Sequence, residues 1–307
     1  MTTASISPKQ SRYAGVLWGL LGILTFSFTL PFTRYAVATI SPFFMTTGRA
    51  ALAAVFALVV FAFVRPLRPH KKQLLRLGIT ALGVVIGFPL FTSLALQSVP
   101  SAHGTVVIAL LPAMTALFVV IRTGERPSPL FWIASIAGAI AVVVFLALGN
   151  GLSGFSIADI FLVFAVISAA IGYTEGGLLS RELGSWQTIC WALIISLPVM
   201  APLTIINAIL VPLSHDPVAW LCFLYTAIFS MFLGFFAWYR GLAIGPMTSV
   251  SQVQLSQPVF TLIWSALILG EVLTPDIIVG GTVIIALAFT AVRARVSTSV
   301  IPRILEK

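Results

Sequence analysis

The chain has 307 residues; 59% are apolar and only 8% are charged, about a third of the roughly 25% expected in a soluble domain. With a mean hydropathy of +1.10 there is too little polar surface to cover a water-soluble fold, and a disordered chain or a nucleic-acid binder is excluded as well. The net charge of +9 is instead the Lys and Arg excess that membrane proteins hold in loops beside anionic lipid.

A bilayer core takes about 20 apolar residues per helix. Ten such runs follow one another, at roughly 14–33, 43–64, 73–96, 104–122, 129–148, 158–180, 186–209, 217–240, 248–269 and 275–293; they are called spans 1 to 10. They are apolar on all sides rather than alternating as barrel strands do, so they read as helices. The loops between them are short and leave no soluble domain. Ahead of span 1 stand Lys9 and Arg12, and Ala36-Val37-Ala38 mimics a signal-peptidase site. The apolar run is longer than a signal-peptide core of about 7–15 residues, and Arg34 interrupts it before that site, so an uncleaved first span is expected. Cys190 and Cys222 sit inside apolar runs as packed thiols, with no disulfide framework.

Of the 17 Lys and Arg residues, 15 fall on one side of these spans. The set runs from Lys9 and Arg12 through Arg65–Arg76, Arg122, Arg126, Arg181 and Arg240 to Arg293, Arg295, Arg303 and Lys307. Only Arg34 lies on the other side, and Arg49 lies within span 2. The positive-inside rule then places both termini in the cytoplasm and requires an even number of spans.

The chain also matches itself at an offset of 146. Leu96 falls on Leu242, Pro100 on Pro246, Pro112 on Pro258, Thr115 on Thr261, Gly124-Glu125 on Gly270-Glu271 and Pro129 on Pro275. Most of these identities are Pro or Gly, so they punctuate the helices in the same way. Each half has five spans. Because five is odd, the second half enters the membrane from the opposite side. The expected fold is an all-α integral membrane protein of ten transmembrane helices in two inverted five-helix repeats, residues 1–150 and 151–307, the second with a short cytoplasmic tail. Inverted repeats around a midplane site characterise secondary transporters.

The punctuation resembles the drug/metabolite transporter superfamily, in particular its ten-helix EamA-type members. The resemblance rests on Trp18-Gly19, Pro31 with Arg34-Tyr35-Ala36, Gly48-Arg49-Ala50, Pro112 with Gly124-Glu125 and Pro129, Pro258 with Gly270-Glu271 and Pro275, and Tyr239-Arg240-Gly241-Leu242-Ala243 before Pro246. It covers about residues 14–295. It implies a small-molecule transporter in a bacterial-type inner membrane, and within the superfamily it points toward amino-acid exporters, including those of aromatic amino acids. The second half departs from the pattern by lacking a counterpart of Arg49; span 7 has only apolar and small polar residues near Trp191-Ala192-Leu193.

Candidate substrate-binding or gating residues follow from the cost of polar groups in lipid. Pro112 and Pro258 lie mid-helix and free the carbonyls of Ile108 and Gln254, either as paired kinks at a site or as packing kinks. Phe88-Pro89 makes a third kink in span 3, and Phe235 falls at the matching place in span 8. Gln254, Gln257 and Thr261 share a helix face and serve a ligand or lock spans together. Glu175 takes a substrate amine, carries a proton, or snorkels to water. Arg49 holds a carboxylate, anchors a gate, or snorkels. His103 is a gate or an interfacial residue. Glu125 and Glu271 read as caps of the Pro-started helices after them. Phe26, Phe28, Phe88, Phe91, Tyr173, Tyr225, Trp238 and Tyr239 offer an apolar pocket. The GxxxG pairs at Gly15/Gly19, Gly83/Gly87, Gly172/Gly176 and Gly241/Gly245 read as intramolecular helix contacts, and a monomer is favoured.

No metal-ligand spacing, nucleophile triad, P-loop or dinucleotide fingerprint is present, so no cofactor, metal, ATP drive or catalytic residue is expected. These features together point to export of small metabolites, with amino acids including aromatic ones as the expected substrates, by alternating access. The alternatives are a multidrug or cationic-compound exporter of the same fold, or an intramembrane enzyme or channel.

Overall fold

Nine helices among the described residues are long and apolar enough to cross a membrane. They are Tyr13–Ala36, Pro42–Phe63, Lys71–Ala95, Ser101–Thr123, Pro129–Leu148, Ile157–Leu183, Ser185–Leu210, Pro217–Ile244 and Pro275–Ala294, with the shorter apolar helix Gln254–Leu269 between the last two. They correspond to spans 1–8, 10 and 9. The structure is a computed structural model that describes residues 8–64, 66, 68–124, 128–149, 156–244, 250 and 253–296. Arg65, Glu125, Arg126, Gly245, Pro246, Arg303 and Lys307, and the side chains of Lys9, Arg12 and Arg295, lie outside that description.

The spans pair mostly between halves rather than within them. Span 2 packs on span 7, span 4 on span 9 and span 5 on span 10; span 1 packs on span 8 and span 3 on span 6; span 4 also meets span 6, and span 9 meets span 1. Exchanging every span with the one five places along turns this set of pairs into itself, as a two-fold relation between repeats requires.

Two pairs are drawn together by small residues. A Cβ on Gly83 would stand 2.5 Å from the Ser168 carbonyl oxygen and 2.7 Å from the Gly172 Cα. A Cβ on Gly241 would stand 2.8 Å from both the Gly15 carbonyl oxygen and the Gly19 nitrogen. Spans 3 and 6, and spans 8 and 1, therefore touch backbone to backbone, and Gly15, Gly19, Gly83, Gly172 and Gly241 make intramolecular helix contacts.

The helices are interrupted at matching places. Span 4 is built from Ser101–Ile108 and Leu111–Thr123, with Pro112 in the first turn of the second piece. Span 9 passes through a tight turn at Gln254–Ser256 before Gln257–Leu269, with Pro258 placed the same way. Both second pieces end on left-handed glycines, Gly124 at φ 70° and Gly270 at φ 66°, a conformation that costs glycine least. The Gln254 carbonyl, expected to be free, accepts from the Gln257 N–H; the chain tightens by one residue there and recaptures it. Span 3 is π-helical over Ala81–Gly87, just before Pro89, and span 8 is π-helical over Thr226–Leu233. The irregularity of span 8 has no proline behind it, so the kink expected in span 3 alone is a property of both repeats.

The Gly83 contact has a direct consequence. Gly83→Ala forces backbone against backbone and should cost about 1–3 kcal/mol, lowering the thermal unfolding midpoint of the detergent-purified protein. Gly78→Ala, inside a helix with nothing within 4 Å of its Cβ, should not lower it and should raise it slightly.

Candidate functional site

The two helix breaks face each other on the axis between the repeats. Pro112, Pro258, Gln254, Gln257 and Thr261 line one cavity there with Leu30, Thr105 and Ile108. Tyr173, Thr174, Trp238 and Gln254 border a second with Pro112 and Thr115. Arg49, Phe88, Tyr173 and Gln257 border a third, with Phe26, Thr29, Ser230 and Phe235. The shared residues make the three one connected region. Their volumes are about 10, 30 and 20 Å³, and a cavity of about 10–15 Å³ holds a single water. This is a closed state with room for water and not for a metabolite.

The polar groups of this region are short of partners. Arg49 is 2% exposed, and its Nε and Nη1 find no acceptor. Its head group does not snorkel to an interface, and no acidic residue pairs with it among the described residues. Gln254 is 1% exposed with both amide atoms unpartnered, and the Trp238 indole N–H is likewise free. A buried charge without a counter-ion is costly, so an anion delivered to Arg49 would be strongly held. The acidic side chains described are engaged or peripheral. Glu175 and Glu182 pair with arginines, Asp159 with His103, Glu271 and Asp216 take backbone N–H groups, and Asp276 opens span 10.

Aromatic rings form the walls. Phe26 and Phe235 lie 4.9 Å apart between centroids, and Tyr173 lies 5.9 Å from both Phe235 and Trp238. Phe28 and Tyr225 form a second group with Phe32 and Trp264. Phe91 packs on Phe161 and Phe164 of span 6. Tyr239 is fully buried and its hydroxyl points at the Gly172 carbonyl at 3.5 Å, so it ties span 8 to span 6. Pro89 is buried at the head of Phe88–Ala95. Neither Tyr239 nor Pro89 borders the three cavities.

Glu175 and His103 stand away from this region. On the basic face, Arg76 Nε donates to Glu175 Oε2 at 2.8 Å and Arg122 Nε donates to Oε1. Arg76 also reaches Glu182 at 2.6 Å. Both carboxylate oxygens of Glu175 are taken by arginines, and the residue joins spans 3, 4 and 6. On the opposite face His103 Nε2 lies 2.8 Å from Asp159 Oδ1, joining span 4 to span 6. Glu271 does not cap the helix that follows it. It accepts from the backbone N–H groups of Ser101 and Ala102 at 2.8 and 2.7 Å and from Ser101 Oγ at 3.0 Å, closing span 9 onto the start of span 4. Arg34 donates to the Leu96 and Gln97 carbonyls. Polar contacts between the halves thus latch each face.

Sequence reasoning missed the Thr29–Ser230 hydroxyl pair, 2.8 Å apart beside Arg49, and the partners of Glu175. Arg76 and Arg122 carried only a topological signal, since nothing in their spacing points to a residue some 50 or 100 positions away.

Comparisons with known proteins agree with the fold. A family model described as "EamA-like transporter family" matches residues 13–147 and again 156–293. A relative from Bacillus subtilis (strain 168), described as "Uncharacterized transporter YdeK", is 46% identical over 263 residues, covering 84% of this chain and 89% of the relative. A solved structure described as "Crystal structure of protein" is similar at a TM-score of 0.62 and 19% identity, over 94% of this chain and all of the other; that likeness concerns the fold alone.

The basic-face latch predicts its own release. Glu175→Gln leaves Arg122 without its counter-charge and Arg76 held by Glu182 alone. With Cys190 and Cys222 replaced by serine, Ala116→Cys in the closed region should react several-fold faster with a membrane-impermeant maleimide added from the basic face when Glu175→Gln is present. An unchanged rate would show that the cluster does not hold that face shut.

Proposed function

The chain belongs to the EamA-like transporter family, whose model matches it twice, and from that premise we propose that it exports small metabolites carrying a carboxylate, namely amino acids including aromatic ones. The observation that supports this reading is Arg49, buried and unpaired beside Phe26, Phe88, Tyr173 and Phe235. A substrate carboxylate would supply the missing charge, and a charge-assisted pair to guanidinium is among the stronger hydrogen bonds available. The rings suit an apolar side chain. The amide of Gln254 and the hydroxyls of Thr29 and Ser230 are the polar groups on hand for an amine. A cationic drug would meet an unpaired positive charge here and no carboxylate among the described residues.

On this reading the site lies near the midplane between repeats 1–150 and 151–307, and access alternates as the two latches open in turn. The Glu175 cluster then closes the cytoplasmic side and the Glu271 contacts close the outer side, with both termini cytoplasmic in a bacterial-type inner membrane. One chain contains every residue of the site, consistent with a functional monomer.

Counterflow in liposomes containing only the purified protein tests the proposal. Vesicles loaded with unlabelled phenylalanine, tryptophan, methionine or threonine should take up the same labelled compound saturably. Arg49→Gln should raise the half-saturation concentration by about 30-fold or more, the equivalent of about 2 kcal/mol for removing one partner of a buried charge pair. Uptake of an aromatic cation with none of any amino acid would overturn the substrate class.

A further inference from the structure

A second concavity lies outside the central region, on the lipid-facing side of spans 1, 7 and 8. Its volume is about 670 Å³, within the range of about 300–1,000 Å³ usual for ligand sites. Its two ends differ in chemistry. Arg240, Ser185 and Gln187 line one end, and Trp18, Leu233 and Phe229 line the rest.

The dimensions match one leaflet. Phe229 precedes Arg240 by eleven positions in span 8, about 16 Å at the helical rise, close to the roughly 15 Å of half a bilayer's hydrocarbon core. The groove thus runs from the basic interface to the middle of the bilayer. It opens sideways, because Trp18, Leu233 and Phe229 are each more than 40% exposed.

The charge at its polar end is unmatched. Arg240 is exposed and makes no ion pair among the described residues. Arg181 donates to the Leu242 carbonyl at 3.4 Å, which brings a second guanidinium to the same end of span 8. The groove is also walled off from the central region. Spans 1 and 8 close on each other there, a Cβ on Gly22 standing 2.9 Å from the Trp238 nitrogen. Ala237 borders the groove while Trp238 faces the inner cavity.

We propose that this groove binds one anionic phospholipid from the leaflet on the basic face, its phosphate at Arg240 and an acyl chain along Leu233 and Phe229. The site is distinct from the substrate site and does not depend on which substrate is carried. Anionic headgroups are drawn to clustered Lys and Arg at this level of a membrane, and the apolar channel below suits a chain rather than a soluble anion.

Trp18 and Trp186 both border the groove, so tryptophan fluorescence reads the lipid directly. The full-length protein would be placed in phosphatidylcholine vesicles containing a small fraction of brominated-chain phosphatidylglycerol, or the same fraction of brominated phosphatidylcholine. The expected result is quenching at least twofold greater with the anionic lipid. Arg240→Gln should remove that excess, Arg240→Lys should keep most of it, and the double variant Trp18→Phe/Trp186→Phe should lose it because the reporters are gone. Soluble glycerol phosphate should not relieve it. Equal quenching by the two lipids in the unmodified protein, which needs no variant to fold, would overturn the proposal. So would an excess that survives Arg240→Gln or the loss of both tryptophans, or one that glycerol phosphate abolishes. Counterflow activity is a separate readout, so a wrong substrate class leaves this test intact.

Discussion

Backbone contact between the two repeats is the constraint from which the rest of the structure follows. Spans 1 and 8, and their symmetry mates 6 and 3, approach until Gly15 and Gly19 meet Gly241 and until Gly83 meets Ser168 and Gly172. In lipid there is no hydrophobic gain from pushing one apolar helix onto another, so close van der Waals contact and polar bonds must supply the association. Those two seams fix the distance between halves. They place Trp238, Phe235 and Tyr173 around one axis and leave the paired breaks of spans 4 and 9 facing each other across it.

The breaks are where polar backbone enters the membrane interior. Irregular backbone at that depth is tolerated when it is buried in protein or lines a cavity, and Pro112 and Pro258 do both. The π-helical segments of spans 3 and 8 repeat the theme. The first precedes Phe88 and the second precedes Phe235, two of the rings beside Arg49. Both spans therefore turn their side chains at the level of the site.

Charge breaks the symmetry that the backbone keeps. Arg49 has no counterpart in span 7, the basic-face latch is an arginine–glutamate cluster, and the opposite latch is Glu271 on backbone N–H groups with the His103–Asp159 pair beside it. A carrier with identical gates would have no chemical preference for a side. Here one latch is held by guanidinium–carboxylate pairs and the other largely by helix-terminus hydrogen bonds, so the two faces are closed by different chemistry.

The sequence by itself determined the class of fold. Composition demanded a membrane solvent, runs of about 20 residues demanded helices, and Pro and Gly at an offset of 146 announced two copies. It also named many residues of the central region, because a polar or proline residue inside an apolar span is rare enough to stand out. Arg49, Pro112, Gln254, Gln257 and Pro258 were visible for that reason. What only the tertiary structure decided was which polar residues meet. Glu175 was legible as an ionisable residue in lipid but not as the partner of Arg76 and Arg122. Glu271 was legible as a cap but for the wrong helix, and the π-helical turn of span 8 left no trace in residue type. Hydropathy and punctuation are local and survive in one dimension; ion pairs and caps between repeats join positions 50 to 170 residues apart, and their geometry exists only once the two halves have packed.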